Sequence, residues 1–226
     1  MREILKPALV LLAICVAIAA VLAVVYQVTK PIIAQRAADD LKAAMHAVLP
    51  QAESFQDLYF DDADAKVKAF TVTPAQAQLV KALPVAAEGG IQMLQISQGK
   101  SANGTAVGYV FTSLSSGYAP DGVHVTVGID TTGKITGVRI GDQNETPGLG
   151  SKVLALDGPY LKQYKNLTPT SANGSYLTLV KNKPASAPPE QIDAVTGATF
   201  TSRAVWRAVE ASVEAAHAEM SLGGQS

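Results

Sequence analysis

The chain contains little of what metal, thiol or nucleic-acid chemistry requires. Of its 226 residues one is cysteine, three are histidine, one is tryptophan, and 16% are charged. A single cysteine forms no disulfide within the chain. The net charge of −1 gives no general attraction for nucleic acid. The composition is therefore that of one folded domain of ordinary size, together with an additional apolar segment.

No residue cluster suggests a self-contained catalytic centre. His46, His124 and His217 have no metal-ligating partner at helical spacing and no cysteine nearby, which favours structural or surface roles. The acidic run at residues 61–64 lacks the glycine and final glutamate of an EF-hand loop. No Gly-x-Gly-x-x-Gly pattern follows a predicted strand, so a nicotinamide site is not indicated. If the chain supports chemistry, a phosphate-bearing cofactor is the best candidate to supply it.

A long uncharged run near the N-terminus predicts a membrane helix. Every residue from Ala8 to Tyr26 is apolar or small. As a helix this run is roughly 28 Å long at about 1.5 Å per residue, which matches a hydrocarbon core of about 30 Å. A cleaved signal peptide is the alternative, but its apolar region usually has only about 7–15 residues. We therefore expect a retained single-pass anchor, with Cys15 as a small apolar residue inside it.

The charges that flank the run give only a weak orientation signal. Arg2 and Lys6 precede it, and Lys30 and Arg36 follow it. The short N-terminal flank favours an N-terminus inside the cell and a domain outside. The predicted organisation is a cytoplasmic N-terminus (1–7), a transmembrane helix (8–28), a stalk helix (29–50), an extracytoplasmic domain (51–222) and a tail (223–226).

The soluble part is predicted to be an α+β domain with a mixed, largely antiparallel sheet and flanking helices. Residues 122–130 alternate apolar and polar, residues 131–134 form a turn, and residues 135–140 return as the second strand of a hairpin. The remaining predictions are an Ile32–Leu49 stalk helix ended by Pro50, a Thr73–Leu83 helix, strands at 91–98, 105–113 and 176–180, a proline-rich loop at 182–190, and a final helix from about Ser202 to Met220.

Two small-residue loops could hold a ligand. The first, Glu145-Thr146-Pro147-Gly148-Leu149-Gly150, is compatible with a simple type II turn around Pro147 and Gly148. Alternatively, its glycines would let backbone amides approach a planar or anionic ligand, with Glu145 orienting one side of it.

The second loop runs from Asp193 through Thr196-Gly197-Ala198-Thr199, just before the last helix. Its simplest interpretation is a turn that leads into the helix, with Thr201 or Ser202 as N-cap. Its functional interpretation is an anion site, because free amides and the helix dipole favour a negative charge there. Arg203 and Arg207 would then face that anion, or alternatively would pair with Glu210 and other acids.

Together these segments resemble a known family. The anchor, the hairpin GVHVTVGIDTTGKITGVRI, the turn ETPGLG and the loop DAVTGATFTS are similar to the G subunit of the Rnf ion-translocating electron-transport complex. They are similar also to the C subunit of the Na⁺-translocating NADH:quinone reductase. The segment GYAPDG ahead of the hairpin is longer than the corresponding turn of that family. Both subunits carry an FMN-binding domain, so the resemblance implies the same domain at residues 51–222.

The resemblance also implies a covalent cofactor. In the family, a flavin transferase uses FAD to link FMN through its phosphate to the last threonine of the Thr/Ser-Gly-Ala-Thr motif. That residue is Thr199 here, with Thr201 as the alternative acceptor. Asp193, Thr196, Gly197 and Ala198 would form the recognition loop. Glu145, Thr146, Gly148, Leu149 and Gly150 would lie against the isoalloxazine ring.

The implied function is electron relay in a membrane-bound, ion-translocating ferredoxin:NAD⁺ oxidoreductase. The chain would be a redox subunit of this translocase rather than a self-sufficient enzyme, and no residue would act as general acid or nucleophile. Its partners would be the other subunits and the flavin transferase. The alternatives are an anchored extracytoplasmic binding or sensor domain, a component of the quinone reductase, and an independent flavin reductase.

Overall fold

The structure is a computed structural model, which describes residues 2–60, 90–143, 150–155, 158–171 and 174–223. The chain divides into two compact units, Met1–Lys42 and Ala43–Ser226. The predicted helix at Thr73–Leu83 and most of the ETPGLG turn lie outside the described residues. The other predicted elements can be compared with the structure directly.

One long helix, α1 (Arg2–Val48), contains both the predicted membrane helix and the predicted stalk. Its span from Leu9 onward is long and apolar enough to cross a membrane, with a mean hydropathy of 3.1 in the most apolar stretch. The side chains from Leu9 to Ile33 are exposed, as expected where lipid would cover them. The predicted transmembrane and stalk helices are continuous, since α1 runs through Pro31 without a break. It ends at Val48, just before Pro50, as predicted.

A five-stranded antiparallel sheet forms the centre of the second unit. Its strands are β1 (Ser54–Phe60), β2 (Ile91–Lys100), β3 (Ala106–Ser115), β4 (Val123–Asp130) and β5 (Ile135–Gln143), and they lie in sequence order. The hairpin prediction is confirmed, because β4 pairs with β5 around a turn closed by an N–H···O bond from Gly133 to Asp130. Antiparallel neighbours in sequence order need only short connections. β2 to β5 follow one another through such local turns, whereas residues 61–90 separate β1 from β2.

The C-terminal part supplies two short helices, a two-stranded parallel sheet and one long helix. These elements are α2 (Gly150–Leu154), α3 (Pro159–Lys162), β6 (Thr178–Val180), β7 (Gln191–Asp193) and α4 (Thr199–Gly223). Sequence patterns missed β1 and β7. The proline-rich segment between β6 and β7 is irregular, as predicted. The last helix begins at Thr199 and not at Ser202, which corrects the prediction.

The core lies between α4 and one face of the sheet. Val123, Val125, Val127 and Ile129 alternate along β4 and pack with Val205, Ala208 and Val209 of α4. The opposite face of β4 is covered at Gly128, where a side chain would collide with the backbone carbonyl of Val48. Both faces of β4 are therefore covered. This packing fixes the first turn of α4 and the loop that precedes it.

Candidate cofactor-attachment loop

The loop between β7 and α4 is a tight turn that presents Thr199. Its backbone N–H of Ala198 donates to the carbonyl of Val195 at 3.0 Å. Gly197 has φ of +82°, a left-handed conformation that glycine adopts at little cost. Thr196 and Gly197 are exposed, Ala198 is buried, and Thr199 is partly buried. The turn thus anchors Ala198 in the core while its hydroxyl-bearing neighbours stay accessible.

The start of α4 differs from the predicted cap. Ala198 occupies the N-cap position, since its carbonyl accepts the first helical hydrogen bond, from the N–H of Ser202, at 2.9 Å. Thr201 and Ser202 lie inside the first turn and are buried, with Thr201 only 2% exposed. The Ser202 hydroxyl accepts a hydrogen bond from the Val195 N–H at 3.0 Å. Ser202 therefore reaches back from within the helix to hold the loop, and neither Thr201 nor Ser202 is the N-cap.

Gln163, just beyond α3, holds the other end of the loop. Its side-chain Oε1 accepts from the backbone N–H of Asp193 at 2.8 Å, and its Nε2 donates to the carbonyl of Asp193 at 3.1 Å. One amide thus satisfies both backbone groups of a residue 30 positions away. Two bonds from one side chain fix position as well as orientation, so Gln163 sets where the loop leaves β7.

A buried tyrosine pair supports the helix side of the loop. The Tyr160 hydroxyl donates to the Ser202 carbonyl at 2.6 Å and lies 2.9 Å from the Tyr164 hydroxyl. Since Tyr160 has one hydroxyl hydrogen, it accepts from Tyr164. Burial raises the pKa of both hydroxyls above the usual value for tyrosine. Both phenols therefore stay protonated at neutral pH and act as fixed hydrogen-bond groups.

An open cleft adjoins the loop. Its walls come from α3, the proline-rich segment and the end of β7, and include Tyr160, Gln163, Lys183, Asp193, Val195 and Thr196. The Oδ1 atom of Asp193 is buried and has no hydrogen-bond partner among the described residues. A buried carboxylate oxygen without a hydrogen-bond partner is costly, so a further polar group placed against it would be stabilising.

The two arginines predicted to face an anion occupy different environments. Arg203 is exposed one helical turn after Thr199, on the same side of α4. A guanidinium nitrogen of Arg207 lies near Gly90. It is 3.1 Å from the position that a β-carbon would occupy if residue 90 carried a side chain. The alternative prediction that Glu210 pairs with these arginines is wrong. The Glu210 carboxylate instead accepts hydrogen bonds from the Ser175 hydroxyl and from the N–H groups of Tyr176 and Leu177.

The other predicted site residues lie mostly outside the described part of the chain. Glu145, Thr146, Gly148 and Leu149 are among them, whereas Gly150 is the buried first residue of α2. The segment before the hairpin carries Tyr118, which is 71% exposed. Phe200, beside Thr199, is 66% exposed. Tyr118 and Phe200 are the large hydrophobic side chains that are exposed in the described part of the second unit.

Comparison with known proteins places this loop within an FMN-binding domain. The FMN-binding domain family model matches residues 117–214, which include the whole of the Thr196–Thr199 loop. The model of the RnfG N-terminal region matches residues 1–48. The crystal structure of Shewanella oneidensis NqrC shares the fold, with a TM-score of 0.54 and 21% identity over 83% of this chain and 98% of that one.

Fold and loop together define a protein with an FMN-binding domain behind a long apolar N-terminal helix. The G subunit of the Na⁺-translocating ferredoxin:NAD⁺ oxidoreductase complex of Acetobacterium woodii is 34% identical over 214 residues, covering 94% of this chain and 91% of the relative. The G subunit of the ion-translocating oxidoreductase complex of Aliivibrio fischeri is 29% identical over 92% of this chain and 88% of its own. The chain belongs to the RnfG family, the G subunits of the Rnf complexes.

Sequence reasoning missed the residues that support the loop from behind. Tyr160, Gln163 and the inward role of Ser202 depend on contacts between segments far apart in the chain. The one local signal was the spacing of Tyr160 and Tyr164, which places two aromatic rings on the same side of a helical turn. That spacing indicates packing, but it does not indicate what the rings pack against.

Proposed function

We propose that this chain is an electron-relay subunit that carries FMN covalently linked through its phosphate to Thr199. The observation that carries the proposal is the position of Thr199. It is the partly exposed first residue of α4, directly after a glycine turn, inside the segment matched by the FMN-binding family. Thr201 is a poorer acceptor because its side chain is buried.

The residues around Thr199 suit a phosphodiester. A phosphate at the start of a 25-residue helix faces the positive end of the helix dipole and the backbone amides at that end. Arg203 adds a cation on the same side of the helix, and arginine forms strong charge-assisted bonds to phosphate oxygens. The exposed Thr196 and Gly197 leave the hydroxyl of Thr199 open to a flavin transferase.

The flavin supplies chemistry that the side chains of this domain do not need to provide, namely the uptake and release of one or two electrons. The chain's own residues hold and orient the group. Thr199 fixes the phosphate, Gln163 and Ser202 fix the loop, and the Asp193 carboxylate is available to a donor on the cofactor. The turn from Glu145 to Gly150, with Thr146, Gly148 and Leu149, is proposed to lie against the ring.

In the proposed complex the chain passes electrons between reduced ferredoxin and NAD⁺, coupled to ion transport. The Acetobacterium woodii relative is named as a subunit of a Na⁺-translocating ferredoxin:NAD⁺ oxidoreductase complex, which supports this assignment. Helix α1 anchors it as a single-pass protein beside other membrane subunits. The domain lies on the extracytoplasmic side, where a covalent bond prevents loss of the flavin. The exposed Phe200 and Tyr118 are available for contact with the ring or with another protein of the complex.

The direct test is ferredoxin-dependent NAD⁺ reduction in membranes that contain the assembled complex. We expect Thr199→Ala to abolish coupled activity, while the composition of the affinity-purified complex is unchanged. Thr201→Val is the matched control, since it removes a nearby hydroxyl and keeps the shape of the side chain. It should retain activity and flavin. Full activity in Thr199→Ala, with no flavin on this chain, would contradict the relay role.

A further inference from the structure

We propose that the second unit binds a phosphate-class oxyanion in a small basic pocket distant in sequence from the attachment loop. The pocket has a volume of about 110 Å³ and is lined by Arg139, Lys162 and Lys165. Its other walls are Ala47, Leu161 and the β5 residues Thr136, Gly137 and Val138. This site, called the basic pocket below, shares no lining residue with the cleft beside Thr199.

Backbone hydrogen bonds hold the segment that carries Lys162 and Lys165 beside the strand that carries Arg139. The N–H of Ile135 donates to the Leu167 carbonyl, and the N–H of Asn166 donates to the Ile135 carbonyl, both at 2.8 Å. Asn166 adopts a left-handed conformation with φ of +65° to make this turn. The segment after α3 is thereby fixed on the outer edge of β5. Lys162 and Lys165, three residues apart in a helical turn, are exposed and line the same pocket as Arg139.

The charge of the basic pocket is uncompensated by the described residues. No carboxylate is among the lining side chains. In the part of the chain that the structure describes, no ion pair or side-chain hydrogen bond involves Arg139, Lys162 or Lys165. Three positive side chains that line one pocket attract an anion from solution. Arginine and lysine together are the usual ligands of phosphate oxygens.

The basic pocket is large enough for a small oxyanion. Its volume, about 110 Å³, is several times the roughly 10–15 Å³ that a cavity needs to hold one water molecule. A tetrahedral oxyanion therefore fits in it. The shared chemistry is a phosphate group, either free in solution or at the end of a phospholipid headgroup.

Two structural explanations compete with a binding site. The cations could serve the negative C-terminal end of α1, which lies at Ala47 and Val48. They could also keep the edge strand β5 from pairing with other chains. Both explanations predict that removing the cations changes the stability or the self-association of the protein in the absence of any ligand. Neither predicts a response specific to phosphate.

The test is thermal unfolding of the full-length chain in nanodiscs, followed by the fluorescence of Trp206. Inorganic phosphate is titrated against chloride at constant ionic strength in neutral phosphatidylcholine discs, and a second set of discs contains phosphatidylglycerol. The variants are Arg139→Gln and the double variant Lys162→Gln/Lys165→Gln. The control is Lys152→Gln/Lys181→Gln, which removes two exposed cations outside the basic pocket.

We expect phosphate to raise the Tm of the wild type and of the control, and to bind roughly tenfold or more weakly to the two pocket variants. A rise in Tm with phosphatidylglycerol alone, lost in the pocket variants, would identify the lipid headgroup as the source of the phosphate. The proposal is overturned if neither source raises the Tm, if chloride is as effective as phosphate, or if the pocket variants respond like the wild type.

Discussion

At the scale of single residues, the attachment loop depends on a conformation that only glycine adopts easily. Gly197 has φ of +82°, and it lies between the residue that ends β7 and the residue that begins α4. A side chain at this position would strain the backbone by roughly 1–2 kcal/mol or push it into another conformation. Because Thr199 follows two residues later, any change at Gly197 also moves the hydroxyl that we propose as the acceptor.

We predict that Gly197→Ala lowers both the stability and the FMN content of the chain. The matched control is Gly104→Ala, because Gly104 has φ of +80° and open space around its α-carbon. Both variants should lose roughly 1–2 kcal/mol of unfolding free energy. Only Gly197→Ala should reduce flavin absorbance per mole of folded protein after co-expression with the transferase. Equal flavin content in the two variants would contradict a role of the loop conformation in attachment.

Gln163 provides a second test at this scale. We predict that Gln163→Glu impairs FMN incorporation, because a carboxylate still accepts from the Asp193 N–H but no longer donates to the Asp193 carbonyl. The expected loss is about 1–2 kcal/mol of loop stability, seen as slower flavin transfer at limiting transferase. Gln163→Ala should be worse than Gln163→Glu in the same assay. Equal incorporation rates in all three proteins would show that the amide is only structural.

The residues of the attachment loop could be predicted from sequence, but their support could not. Thr199, Gly197 and Asp193 belong to a short contiguous motif whose residue types indicate an anion site at a helix start. The partners of that motif, Gln163 and Tyr160, are identified only when the chain folds and brings residues 30 and 42 positions apart into contact. A single sequence contains no signal for such pairings.

At the scale of elements, α4 is fixed to the rest of the domain by a buried carboxylate. Glu210 is 4% exposed, and its two oxygens accept three hydrogen bonds of 2.8 Å from residues 175–177. Burial raises its pKa above 4.5, although the hydrogen bonds act in the opposite direction. A raised pKa in the folded state means that the fold holds a proton more tightly than the unfolded chain does.

We predict that Glu210→Gln destabilises the domain by about 1–3 kcal/mol at neutral pH, because an amide nitrogen cannot accept the bond that one carboxylate oxygen now accepts. The contribution of Glu210 to stability falls as pH rises from about 4.5 through its folded-state pKa. The free energy of unfolding, measured with denaturant at a series of pH values, should therefore fall less steeply with rising pH in Glu210→Gln than in the wild type. The control is the exposed Glu53→Gln, whose curve should follow the wild type. Parallel curves for Glu210→Gln and wild type would contradict the raised pKa.

Elements with a clear period were predictable, and those without one were not. The alternation of β4 is strict, and a short turn connects it to the apolar positions Ile135, Val138 and Ile140 of β5, so the hairpin prediction is confirmed. The start of α4 was misplaced because Ala198, its N-cap, has no side chain that signals a cap, whereas Thr201 and Ser202 do. The parallel pair β6 and β7 has three residues in each strand, too few to show a period. Its register depends on contacts that the local sequence does not encode.

At the scale of the whole molecule, the proposed topology places the two ends of the apolar span of α1 on opposite sides of the membrane. The apolar span would place the first residues in the cytoplasm and the FMN-binding domain outside. Since Cys15 is the chain's one cysteine, Cys15→Ala gives a background without thiols. Single cysteines can then be introduced on each side of the membrane and tested for access to a charged maleimide.

We predict that Lys181→Cys, at an exposed position of the domain, is labelled in intact cells or spheroplasts. Glu3→Cys, before the apolar span, should be labelled only after the membrane is permeabilised. Both variants should remain in the membrane fraction after carbonate extraction. The reverse pattern would place the domain in the cytoplasm, and release by carbonate would argue against a spanning helix.

The central claim is that this chain carries FMN on Thr199, and fragmentation mass spectrometry of the native protein tests it most directly. Trypsin should release residues 182–203 as one peptide, because Lys183 is followed by proline. The account predicts that this peptide is heavier by about 438 Da, the mass added by an FMN phosphoester, and that fragment ions place the group on Thr199. An unmodified peptide from cells that contain the transferase, or a flavin on Thr196, Thr201 or Ser202, would contradict it.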